Sequence, residues 1–377
     1  MITTLAINKR KNDPPSPPPP KKPNRNNTHI FFDDNGKPYY FDDDSDTETF
    51  IEAIPEVREE DKPYVEIDMM INSLDDLIKL GHMYDPMKRY NIDMKILHNL
   101  VLSLTELNNM IGMNTVKQDI VDHILFKIQK FDDSNMDMMH TVIQGPPGVG
   151  KTEVAKIIGK IYLAMGILKN NKFIKAGRAQ LIGEYLGQTS RLTKKIIESA
   201  EGGVLFIDEV YSLGNPEKRD SYSKECIDCI NESLTEKKTD FICIIAGYKK
   251  EIDSCFFSYN PGLERRFPIR FTIEPYKAEE IFLIFKKKVT DATWTLHSTV
   301  TDKFFIDNFT HFKYFGGDME ILFSRCKRAH ARRVFASKNG VKKEIDMTDM
   351  KRGFDSFKAH RKVKEKEESD LWKTMFM

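Results

Sequence analysis

Thr141-Val142-Ile143-Gln144-Gly145-Pro146-Pro147-Gly148-Val149-Gly150-Lys151-Thr152 decides the fold. A short apolar run ends in glycine, satisfies G-x-x-x-x-G-K-[ST], and opens a helix over Lys151–Leu168. Val154, Ile157, Ile158 and Ile161 lie on one face of that helix. Strand, glycine loop and helix in this order are what a phosphate cradle needs. The glycines let backbone N–H groups wrap phosphates, and the helix N-terminus adds partial positive charge. Lys151 is expected to reach the β- and γ-phosphates of ATP, and the Thr152 hydroxyl to sit on Mg²⁺. Gly145, Pro146, Pro147, Gly148, Val149, Gly150, Lys151 and Thr152 are the candidate nucleotide contacts.

Outward from the loop, strands and helices alternate between about 140 and 275. Phe173–Ile174 begins a strand, and Val204–Ile207 and Phe241–Ala246 are apolar throughout, with helical Arg191–Ala200 and Cys226–Leu234 between. Apolar strands without polar alternation predict a parallel sheet covered on both faces. Val204–Ile207 runs into Asp208-Glu209, about 55 residues after the loop. Carboxylates there emerge at the C-terminal end of a buried strand, where open α/β sheets bind ligands. Asp208 is expected in the Mg²⁺ shell and Glu209 as the general base for the attacking water.

The flanks read differently. Residues 1–62 carry the tract Pro14-Pro15-Ser16-Pro17-Pro18-Pro19-Pro20 and then a strongly acidic run, which together predict a disordered tail. Ile71, Leu74, Leu77, Ile78 and Leu80, then Leu97, Leu100, Val101 and Leu104, predict a helical lead-in over 63–104. Ile111, Val116, Ile120, Ile124 and Ile128 mark one longer amphipathic helix. After Pro275 the pattern is helical. The expected architecture is an α/β P-loop large domain over 105–275, a small helical lid domain over 276–357 and a charged tail over 358–377.

Basic and acidic side chains nearly cancel, 58 against 57, so the total charge supports no whole-chain polyanion binding. Lys351, Arg352, Lys358, Arg361, Lys362, Lys364 and Lys366 are interleaved with Glu365, Glu367, Glu368 and Asp370. With Arg325 to Arg333 they offer an alternative reading, a nucleic-acid motor or loader, but the interleaving favours a solvated helix, and a nucleic-acid partner is not expected. No apolar run is long enough to span a membrane, and the N-terminus lacks a secretory h-region. Five sparse cysteines fit reduced thiols in a cytoplasmic or other reducing compartment. Cys226 and Cys229 read as a packed pair, since no second pair or nearby histidine completes a zinc site.

Several longer motifs carry a family resemblance: Leu181-Ile182-Gly183-Glu184-Tyr185-Leu186-Gly187-Gln188-Thr189, Gly202-Gly203 running on to Asp208-Glu209-Val210-Tyr211-Ser212-Leu213, Ile245-Ala246-Gly247-Tyr248, and Asn260-Pro261-Gly262-Leu263-Glu264-Arg265-Arg266-Phe267. With the P-loop, they resemble the CbxX/CfqX branch of AAA+ ATPases over roughly 105–330. That branch holds the red-type Rubisco activase and related sporulation proteins. The Lys/Asn/Asp/Ile-rich texture also resembles versions encoded by large DNA viruses, which would allow a virion-associated location. The resemblance implies a hexameric ring that remodels a protein client, gripped in the central pore by Tyr185 and Leu186. It implies an arginine finger at Arg266, with Arg265 adjacent, and a sensor position at Tyr248. Met319 stands where the family's lid arginine falls, leaving Arg325 or Arg328 as possible substitutes.

Overall fold

The computed structural model describes residues 28–32, 38–42, 58–131, 138–185, 187–335 and 342–375; the proline tract and Leu186 lie outside these residues. The chain divides into two compact units, 1–62 and 63–377. In the first, β1 (Thr28–Phe32) pairs antiparallel with β2 (Pro38–Asp42). The sequence reading assigned no strand there, although Asn35-Gly36 between two aromatic runs is a hairpin signal.

The second unit opens with β3 (Tyr64–Val65) and β4 (Arg89–Tyr90), a short parallel pair on either side of α1 (Leu74–His82). Ser73 caps α1 and Asp93 caps α2 (Met94–Asn108), each side chain accepting a backbone N–H of the first turn. Next comes α3 (Asn114–Ile128). Ile111 is not part of it, because Gly112 and Met113 take left-handed φ of 67° and 59° and break the path. The expected longer helix therefore starts late, and Ile111 is freed for another use.

The central layer holds β5 (Thr141–Gln144), β6 (Phe173–Ala176), β7 (Val204–Ile207), β8 (Ile242–Gly247) and β9 (Ile269–Thr272), all parallel in the order β6-β7-β8-β5-β9. Every residue of β5, β7 and β8 is buried, which explains the apolar sequence of β7 and β8 and of Val142-Ile143 within β5. Their side chains alternate between two cores. Ile143, Phe206 and Ile244 face the one shared with α2, α3 and α4 (Lys151–Ala164), while Val142, Leu205 and Ile245 face the one shared with α6 (Thr189–Ser199) and α7 (Ser221–Glu236). The short α5 (Arg178–Leu181) leads toward Tyr185, and α8 (Lys249–Cys255) follows β8. Strand β9 escaped the sequence reading because Ile269-Arg270-Phe271-Thr272 mixes polar with apolar, as an edge strand does.

Beyond β9 the fold is helical: α9 (Ala278–Asp291), α10 (Asp302–Asp307), α11 (Phe315–Val334) and α12 (Met347–Met375), with β10 (Thr295–Leu296) paired to β11 (Glu344–Ile345). Phe285, Phe305, Phe312 and Phe354 fill its core. A buried Asp349 is satisfied by His330 at 3.1 Å and Arg333 at 2.8 Å, tying α11 to α12. The α12 backbone continues through the residues expected as a charged tail.

One buried group makes the sheet pH-sensitive. His140 is enclosed by Phe241 and Phe267, its Nδ1 accepts the Cys243 N–H at 3.0 Å, and burial pushes its imidazole down to about 4. The folded state thus favours the neutral ring, and stability is lost as pH falls from the unfolded value near 6.5 toward 4. Going from pH 7 to pH 5 should remove about 2 kcal/mol through this group. Thermal melts across that interval should show a smaller loss in His140→Asn than in the wild-type protein. Equal losses would count against this assignment.

Candidate nucleotide site

Parallel pairing aligns the strand ends: Gln144 lies opposite Gly247 and Ile207 opposite Ile245. The segments leaving β5, β7 and β8 therefore share one edge of the sheet. Because β8 lies between β5 and β7, Tyr248 emerges between the glycine loop and Asp208. Gly247 permits this crowding, since a Cβ there would lie 2.9 Å from the Tyr211 ring. Tyr211 and Tyr248 stack at 5.3 Å, and burial together with the Glu209 charge pushes the Tyr211 phenol up.

The two halves of the motif meet across that gap. Thr152 Oγ1 donates to Asp208 Oδ2 at 3.1 Å, and Lys175 Nζ from β6 reaches the same oxygen at 2.8 Å. Lys151 Nζ donates to the carbonyls of Gly145 and Pro146 at 2.9 and 2.8 Å and lies 5.0 Å from the Tyr248 ring centre. Burial pushes its ammonium below the usual lysine range, while Asp208 and Glu209 pull it back. Glu209 is exposed and left-handed, with φ 49° and ψ 47°. For a non-glycine residue that conformation costs about 1–2 kcal/mol. Such strain at the edge of a cleft is the kind of outlier that marks a functional position.

A cleft of about 580 Å³ takes in Pro147 to Thr152, Asp208, Glu209 and Tyr248. Gly145 and Pro146 lie behind it and hold Lys151. Met110, Ile111, Tyr276 and Ile284 form an apolar wall that fits the flat ring of a base. None of the four was singled out from the sequence. Ile111 had been assigned to a helix face, and the others carry no motif. Lys175 was missed too, because β6 is a weak strand whose register alone aims it at Asp208. The hydroxyl of Thr152 and carboxylate of Asp208 are hard oxygens suited to Mg²⁺.

The lid closes the cleft from above. Gly316 N–H donates to the Gly148 carbonyl at 3.1 Å, and a Cβ on Gly148, whose φ is +75°, would lie 2.0 Å from the Tyr314 carbonyl oxygen. Gly316, Gly317 and Glu320 face the nucleotide loop. Met319, where a sensing arginine was expected, is fully buried in the lid core. Arg325 and Arg328 do not replace it: they line a separate groove between α11 and α12. Arg266 and Tyr185 also lie outside the cleft. Arg266 donates to Thr235 Oγ1 at 2.7 Å and to the Gly262 carbonyl at 2.6 Å, whereas Arg265 is exposed.

Residues 141–275 match the model of the ATPase family associated with various cellular activities (AAA). A CfxQ-like protein of Acanthamoeba polyphaga mimivirus is 45% identical over 298 residues, 77% of this chain and 73% of its own. The chain belongs to the AAA ATPases, in their CfxQ-like branch. A CfxQ homologue of Guillardia theta is 30% identical, covering 70% of this chain and 85% of its own. Stage V sporulation protein K of Bacillus subtilis is 36% identical but covers only 51% and 61%. Similarity to the mimivirus protein is consistent with a viral origin.

In this AAA ATPase a second network ties the cleft to a distant loop. Arg178 of α5 donates to the carbonyls of Ser212 and Leu213 at 2.9 and 3.2 Å and pairs with Asp220 at 2.6 Å. Hydrogen bonds from Ser223 and Arg178 hold the Asp220 carboxyl down at about 2. The turn after Glu209 is thereby fastened to the helix that precedes Tyr185. Gly148 and Tyr314 meet backbone to backbone, so the lid contact is sensitive to one added methyl. Gly148→Ala should detach the lid and speed amide hydrogen exchange at Gly316 and Gly317 at least tenfold. Unchanged exchange in that variant would show the contact to be dispensable.

Proposed function

We propose that this AAA ATPase is a Mg²⁺-dependent motor that assembles as a hexameric ring and threads a protein client. The observation that carries the reading is the convergence of Lys151, Thr152, Asp208 and Glu209 at one mouth, with Tyr185 exposed on a loop away from it. Lys151 binds and neutralises the phosphates of substrate ATP, and the glycine loop orients them. Bound Mg²⁺, held by Thr152 and Asp208, supplies charge neutralisation on the transferred phosphoryl group. Glu209 takes the proton of the attacking water. Domains 105–275 and 276–357 serve as engine and lid, and five unpaired, buried thiols suit a reducing compartment.

Arg266 does not line its own cleft, which supports action on a neighbouring subunit. Its hydrogen bonds to Thr235 and Gly262 fix the segment that carries it, with Arg265 alongside. Tyr185 is 67% exposed, and an aromatic ring can pack on any polypeptide without sequence demands. The Arg178 network gives strain at Glu209 a mechanical route to that loop. Among the described residues no helix is long and apolar enough to cross a membrane.

Lys151→Ala should abolish ATP binding, whereas Glu209→Gln should bind ATP and lose turnover by at least a hundredfold. Near wild-type turnover in Glu209→Gln would remove the general-base role. Arg266→Ala should bind nucleotide and hydrolyse poorly, and mixing it with Lys151→Ala should restore part of the activity. Co-assembled variants without rescue would exclude action in trans, and a matching loss in Arg265→Ala alone would move the finger by one residue.

Tyr185→Ala should lose the stimulation of turnover by a permanently unfolded polypeptide, and Tyr185→Phe should recover it. Stimulation that survives in Tyr185→Ala overturns the threading reading and leaves an ATP-gated scaffold.

A further inference from the structure

The groove between α11 and α12 has no part in the nucleotide site. It is about 610 Å³ in volume, and Arg325, Arg328, Arg332 and Arg352 all line it. The opposing charge is a single carboxylate, Asp355, which pairs with Lys358 at 3.2 Å. Arg325 makes a long hydrogen bond of 3.4 Å to Ser356. Among the described residues, Arg328, Arg332 and Arg352 have no ion-pair partner. Four guanidinium side chains share one groove, and among the described residues its lining sets only the Asp355 carboxylate against their mutual repulsion.

We propose that this groove binds the phosphodiester backbone of single-stranded nucleic acid, without regard to sequence. Four features select that ligand. Arg325, Arg328 and Arg332 stand along one face of α11 at axial steps of about 4.5 and 6 Å, a ladder suited to successive phosphates. All four are arginines, whose planar forks bind phosphate oxygens in pairs, rather than lysines. Ala329 is the only apolar side chain of the lining, so the groove lacks the wall that a small organic ligand or a protein hot spot would need. Phe335 continues the same helical face and is 92% exposed, available to stack on an unpaired base. The charges that read as a solvated helix in sequence are thus sorted by folding: Arg333 and Arg361 go to buried carboxylates, and these four go to one open groove.

The test is fluorescence anisotropy of the full chain with a labelled oligothymidylate, its duplex counterpart and a potassium chloride series. Single strands should bind with a log–log salt slope near −3, from about −0.7 per contacted phosphate. The double variant Arg328→Gln/Arg332→Gln should weaken binding at least tenfold and reduce the slope by about 1.4. The corresponding double lysine variant should keep the slope, and Phe335→Ala should weaken single-strand binding alone. Both positions are exposed, so melting curves should match wild type and exclude unfolding as the cause. Absence of binding at low salt, or a slope indifferent to the substitutions, overturns the site. Duplex binding as tight as single-strand binding overturns the strand preference. Displacement by polyglutamate at equal charge would identify an acidic polypeptide as the occupant instead.

Discussion

The hydrogen bond from Thr152 to Asp208 joins the helix that follows β5 to the end of β7, a strand that is not a neighbour of β5 in the sheet. It can form only if β5, β8 and β7 run parallel and end near one edge of the sheet. Everything the cleft does follows from that. Parallel pairing buries these strands on both faces, so their interiors are apolar, and the chain passes to the glycine loop at Gly145 and to carboxylates at Asp208 as it leaves them. The intervening strand must then end in something that fits between them. Gly247 supplies the space, and the stacked Tyr211 and Tyr248 fill it with surface that tolerates the Lys151 ammonium.

The same edge explains how a small site can govern distant parts. Glu209 occupies a left-handed backbone position, so the turn behind it is set by a conformation that is costly on its own. Arg178 reads that turn through two carbonyls and holds Asp220 on the far side. On the opposite wall, Tyr276 donates to the Val149 carbonyl at 3.1 Å, and Gly316 donates to that of Gly148. The glycine loop is therefore held at two successive carbonyls by the segment that carries the lid. A change in its geometry cannot stay local, since packed interfaces shift between discrete arrangements rather than deform smoothly.

What could be read from the sequence was whatever is written in local pattern. The glycine loop, the buried strands and Asp208-Glu209 each combine a residue type with a neighbouring period, and the structure brings them to one mouth. Residues defined by register alone were not legible. Lys175 is an ordinary charge in a short strand until its pairing with β7 aims it at Asp208. Ile111 looked like part of a helix because apolar spacing says nothing about where the chain turns. The turn is made by Met113 at a φ that few non-glycine residues adopt, which no periodicity reveals. Edge strand β9 failed for the opposite reason, being too polar for a rule built on buried strands.

The lid shows most clearly why position in a motif is not position in space. Met319 falls where relatives are expected to carry a sensing arginine, and the substitution looked like a loss. On α11, however, Met319 shares its face with Leu322, Phe323 and Cys326, all turned into the lid core. An arginine there would have to bury its charge among phenylalanines or leave the helix face it occupies, so methionine is the residue this packing demands. The face toward the cleft is instead Gly316, Gly317 and Glu320, one small-residue step and one carboxylate. Glu320 lies 3.5 Å from Lys288 of α9, which also borders the cleft. The lid therefore meets the nucleotide loop through backbone at Gly316 and through an acid–base pair at its rim. On α11 itself, contact with the loop is made by shape and a single N–H rather than by a side-chain cation.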